Sequence, residues 1–149
     1  MEKIKKEITI SLIIILFALI EAKTRLWSGY APNLLLLGLI CLTGSVTILE
    51  LLFYTLIGFL FLAGPVISQE LLVIIVIVSF FHFLRLFVFG PSTLLTPFFS
   101  AAAILLFYLE TIGFAVFMSP LFLLEICLVS VLFGFVPVVL LSRFPSMRS

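Results

Sequence analysis

Five ionisable side chains interrupt runs that are otherwise apolar: Glu50, His82, Arg85, Glu110 and Glu125. A charge inside hydrocarbon costs several kcal/mol, so such residues turn toward a partner or a cavity. His82 and Arg85 are three apart and share one helix face. If the helices alternate in direction, Glu50 near the start of one and Arg85 near the end of the next lie at similar depth. The expectation is that they pair, or share a polar pocket with His82. Otherwise Arg85 snorkels to lipid phosphates and Glu50 reaches the interface alone. Glu110 and Glu125 fall in the opposite half, with Glu21, Lys23 and Arg25, where a second polar cluster or a proton or cation relay could form.

Other chemistry is poorly supplied. One histidine and no aspartate exclude the usual ligand-rich metal sites. There is no phosphate-cradling glycine loop, no exposed Ser or Cys beside a histidine, and no helical acidic pair at i, i+3 or i+4. Cys41 and Cys127 lie in apolar segments and read as small buried hydrophobes. The chain is therefore expected to be no enzyme and to need no cofactor.

The elements that would position these residues are set by composition. Of 149 residues, 64% are hydrophobic and 10% charged, and mean hydropathy is +1.49, which makes lipid the expected solvent. A net charge of +1 with no basic run beyond Lys5-Lys6 gives nucleic acid no foothold. The start has the basic-then-apolar order of a signal peptide, but Glu21, Lys23 and Arg25 stand where a small-x-small cleavage site would be, so it reads as a retained helix. The stretch Ala31 to Gly64 carries one charge, Glu50, and as a single helix would be about 50 Å long against a hydrocarbon core of about 30 Å. Thr43-Gly44-Ser45 is the natural break. Six spans follow, at about 8–22, 31–42, 46–62, 71–89, 97–117 and 121–141, in a single membrane domain over 1–149. Ser68, Thr96-Pro97 and Ser119-Pro120 mark helix starts, Gly64-Pro65 and Gly90-Pro91-Ser92 mark turns, and Pro137 is expected to kink the last span.

Positive charge decides between six spans and five. Six spans put Lys3, Lys5, Lys6, Arg85, Arg143 and Arg148 on the inner side against Lys23 and Arg25 outside, six to two; a single helix over 31–64 gives three to five. Six spans with both ends cytoplasmic are preferred. Trp27 and Tyr30 suit an interfacial belt, the phenylalanines at 80, 81, 83, 87 and 89 suit lipid contact and bundle packing, and Ala101, Ala102 and Ala103 allow a close helix approach.

This layout resembles the MreD family, small integral membrane subunits of the bacterial rod-shape (elongation) complex. The likeness rests on size, the basic N-terminus, six spans, Arg143 closing the last helix, and above all APNLLLLGLICL, in which Pro32, Asn33 and Leu34 match the family's proline, Asp or Asn, and leucine-rich stretch. The chain departs from the family where the third span usually ends in a Gly-rich stretch and an aspartate; only Gly58 and Gly64 are present. The resemblance implies an all-α fold similar to the six-helix substrate-binding subunits of energy-coupling-factor transporters. It also implies a non-catalytic scaffold in the inner membrane that binds an MreC-like bitopic protein, with cell-wall synthases and an actin-like filament as further partners. A small-solute transporter component built on the same bundle is the alternative. In a background free of the native cysteines, Ser45→Cys is expected to be labelled by an impermeant maleimide from the cytoplasmic side; labelling from outside would overturn the six-span order.

Overall fold

The computed structural model describes residues 2–28, 33–65, 67–90, 95–113 and 118–143. Among these there are six α-helices and no strand: α1 (Glu2–Ser28), α2 (Leu34–Leu42), α3 (Ile48–Ala63), α4 (Gln69–Leu84), α5 (Thr96–Ile112) and α6 (Pro120–Arg143). Helix α4 runs on into a π-helical turn, Arg85–Phe89. The helices differ from the expected spans mainly at their ends. Helix α1 extends through the lysines before it and the polar residues after it, because Glu, Lys and Arg are good helix formers and nothing in 2–28 breaks the ladder. Thr96 and Pro97 are the first two residues of α5, and Leu95 holds the N-cap position expected of Thr96. Pro137 lies inside α6, whose backbone is helical to Arg143. The expected segments 31–32 and 114–117 lie outside the described residues.

Between α2 and α3 the chain turns at Thr43 to Val46, and the sequence explains both sides of the turn. Thr47 starts α3 with a capping box: its backbone N–H donates to the Glu50 carboxylate at 2.9 Å, while the Glu50 N–H donates to its hydroxyl at 3.4 Å. Ser68 does the same half-job for α4, accepting from the Leu71 N–H at 3.3 Å. Gly64, Gly90 and Gly113 end their helices at positive φ, a region open to glycine at little cost.

Helix α2 is the centre of the bundle. It is only nine residues long, about 14 Å at helical rise, and it packs against all five other helices. Every residue from Leu34 to Cys41 is buried. The remaining helices surround it and leave a strongly apolar outer surface: Leu12 on α1, Phe53 on α3, Val76 on α4, Phe98 on α5 and Leu121 on α6 are all exposed. By length and composition, Gln69–Phe89 is the one helix among the described residues long and apolar enough to cross a membrane; α3 and α5 are apolar but shorter.

Close approach of α2 to α3 depends on Gly58. A Cβ there would lie 2.3 Å from Leu35 Cδ1 and 2.9 Å from Ile14 Cγ2, and both neighbours are buried. Leu35 has no free space to swing into, and the methyl of Ile14 sits on a stiff branched carbon. Gly58→Val should therefore destabilise the chain by about 1–3 kcal/mol, the usual cost of overpacking a core. Thermal unfolding in detergent measures it, and an unchanged midpoint would show that α2 is not held against α3 at this point.

Candidate functional site

A helix buried on all sides cannot send its free N–H and C=O groups to water, so other parts of the chain must meet them. At the N-terminal end of α2 the Leu35 N–H donates to Glu21 Oε2 at 2.8 Å. The Leu36 N–H donates to Asn33 Oδ1 at 2.9 Å and the Leu37 N–H to the Asn33 carbonyl at 3.0 Å. Glu21 comes from α1 and is 0% exposed. Its other oxygen, Oε1, accepts from Arg25 Nη2 at 2.6 Å, an i, i+4 pair on α1. Arg25 reaches onward to α4, donating from Nη1 to Glu70 Oε2 at 3.2 Å and from Nη2 to Glu70 Oε1. One guanidinium thus ties α1 to α4 with a two-pronged bond, while the carboxylate behind it holds α2. Burial alone would lower the Arg25 pKa, but the hydrogen bond to Glu70 and the charges of Glu21 and Glu70 outweigh it and hold the guanidinium charged.

The C-terminal end of α2 is met by a guanidinium and an imidazole. Thr43 donates its hydroxyl to the Ile40 carbonyl at 2.7 Å and accepts from Arg85 Nη1 at 3.1 Å. His82 Nδ1 lies 2.9 Å from the Thr43 carbonyl oxygen, and because a carbonyl only accepts, this bond needs the proton on Nδ1. Arg85 also donates from Nη2 to Thr96 Oγ1 of α5, and its guanidinium carbon lies 5.5 Å from the centre of the Phe99 ring. Arg85 is 4% exposed. Gly44 makes room for it: a Cβ at that position would sit 3.0 Å from Arg85 Nη1 and 3.1 Å from its Cδ. The signs follow the helix dipole, a carboxylate at the N-terminal end of α2 and a guanidinium at the C-terminal end.

The expected polar residues divide accordingly. His82 and Arg85 come together, as their spacing suggests, but on Thr43 and Thr96. Glu50 does not serve as the counter-ion of Arg85; its carboxylate is spent on the capping box of its own helix. Glu50 and His82 nevertheless line one open cleft of about 690 Å³ at this end of the bundle, with Lys3, Lys6, Ser45 and Tyr54. On the opposite side a polar cluster does form around Glu21 and Arg25, but its third member is Glu70. Glu110 and Glu125 are exposed on α5 and α6, and among the described residues neither makes a side-chain hydrogen bond or ion pair. Of the motif residues, Asn33 caps α2 and Leu34 is its first, buried residue; Pro32 lies outside the described residues. No group of three or more potential metal ligands occurs among the described residues. Glu70 is the residue sequence reasoning missed. Its signal was its place in the first turn after the Ser68 cap, on the side of the bundle to which Arg25 belongs.

Compared with family models, with characterised proteins and with solved structures, the chain matches none. The geometry of the two clamps is therefore what characterises it. Glu21→Leu, which removes the acceptor of the Leu35 N–H and one of the two carboxylates on Arg25, should lower unfolding free energy by about 2–4 kcal/mol, mostly for the buried donor because Arg25 keeps Glu70. Glu21→Gln keeps an acceptor for the Leu35 N–H and should cost less, the difference being about 1–3 kcal/mol for that one buried donor. Denaturant titration of the purified chain reports both; equal losses would mean that the bond to α2 contributes nothing.

Proposed function

We propose that this protein is a non-catalytic scaffold subunit of MreD type, a six-helix protein of the bacterial inner membrane with both termini cytoplasmic. Its role in this reading is to bind a bitopic MreC-like protein and, through it, to organise cell-wall synthases and actin-like filaments during elongation. One observation carries the reading. The space at the centre of the bundle, where a transported solute would sit, is filled by α2, and the buried carboxylate, guanidinium and imidazole are engaged on the ends of that helix. What remains for recognition is the outer surface. That surface carries large apolar side chains on each of the five outer helices, which suits both a lipid solvent and lateral contact with other membrane helices. The bonds that meet the Leu35 and Leu36 N–H groups and the Ile40 carbonyl at the ends of this short helix answer a demand that a bilayer makes of a backbone.

A second reading, a solute-binding transporter subunit, draws support from the cleft of about 690 Å³ that reaches Glu50 and His82. Depleting the protein separates the two. A scaffold should leave cells rounded, and the tagged chain should retain a bitopic partner through purification in mild detergent. Cells that stay rod-shaped but lose uptake of one solute, most sharply in a His82→Phe strain, would refute the scaffold and favour transport.

A further inference from the structure

Helix α6 lies at the edge of the bundle and packs chiefly on α5 and α2. Its outward face carries Leu121, Leu124, Leu128, Leu132 and Phe135, all exposed, at the three- and four-residue spacing of a helix-pairing seam. An open groove of about 640 Å³ runs along this face, lined by Leu124, Cys127, Leu128, Val131 and Leu132 among others. Glu125 flanks the seam on the side away from that groove: it stands one turn from both Leu121 and Leu128, is exposed, and has no side-chain partner among the described residues. It lies five residues past Pro120, about 7.5 Å along the axis of α6.

Taken with the membrane reading proposed above, on which this inference rests, the face has two requirements. The leucines are content with lipid tails, but a carboxylate on a lipid-facing helix is costly without a donor. A second copy of the chain is a poor occupant. A symmetric contact along this seam would set Glu125 of one copy at the same depth as Glu125 of the other, and like charges would repel. We propose that α6 is the docking face for a single transmembrane helix of another protein. That helix is apolar along its length and carries one Lys or Arg level with Glu125, one to two turns from the end of α6 marked by Pro120.

The full-length chain, reconstituted in phosphatidylcholine–phosphatidylglycerol vesicles, tests this with a synthetic polyleucine transmembrane peptide. The peptide carries either lysine or leucine level with Glu125, plus a cysteine level with Cys127. Energy transfer between labelled chain and peptide should show the lysine form associating about ten-fold more tightly, within the range of interhelical polar bonds in lipid. The preference should vanish in Glu125→Gln, an exposed substitution checked by unchanged elution of the purified chain. Mild oxidation should trap the lysine peptide on Cys127, and Cys127→Ser should abolish the trap. Equal association of the two peptides, a preference that survives Glu125→Gln, or copies of the chain trapped on one another through Cys127 would each overturn the proposal. Because the probe is synthetic, such a failure alongside retention of the bitopic partner would remove this face and leave the scaffold reading standing.

Discussion

A nine-residue helix with no access to water poses the physical problem on which the rest of the structure depends. Lipid or a packed protein interior offers nothing to a free N–H or C=O, and an unmet group costs a kcal/mol or more, about what a single good contact returns. At the N-terminal end of α2 the chain answers with Glu21 from α1, backed by Arg25 and Glu70. At the other end it answers with His82 from α4 and with Arg85 from the π-helical turn that continues it, the latter held by Thr96 of α5. Once these partners are fixed, so are the depths at which α1, α4 and α5 pass the central helix. Packing around Leu35 and Gly58 then completes an arrangement whose register the polar bonds have chosen.

Much of this was legible in the residues. The break at Thr43-Gly44-Ser45, the cap at Ser68, the helix start at Pro120 and the all-helical class follow from local chemistry that tertiary contacts had no reason to override. Thr47 and Glu50 are also a written signature, a threonine followed three residues later by glutamate. As a membrane charge Glu50 suggests Arg85 as its partner, or the interface alone, but the nearer Thr47 N–H at the start of its own helix has the stronger claim. What could not be read was long-range choice. Arg25 and Glu70 are 45 residues apart, and although the Ser68 cap places Glu70 in the first turn of α4, the pairing itself is a tertiary contact that no local pattern spells out. The centrality of α2 was equally hidden, because an apolar run of nine looks the same whether lipid or protein surrounds it.

The division of polar residues bears on how function is distributed. Those that are buried act on the architecture. The carboxylates left outside, Glu110 and Glu125, contribute nothing to the fold that their neighbours would miss, so the surface is where selection for a partner has room to act. The cleft beside His82 stands between these extremes, since one wall is the same imidazole that holds α2 in place. Any molecule entering it would touch the clamp directly.

The wide spacing of the clamp residues along the chain has a consequence for biogenesis. Glu21 precedes α2 and is ready when Leu35 is made, but Arg85 and Thr96 emerge 42 and 53 residues after Thr43. For those 53 residues of a 149-residue chain the central helix has one end satisfied and the other bare. In the membrane reading proposed above, hydrocarbon offers that bare end no partner until α4 and α5 arrive to enclose it. A truncation that stops before Thr96 thus leaves a chain with four complete helices and no stable place for α2, the kind of intermediate that quality-control proteases recognise.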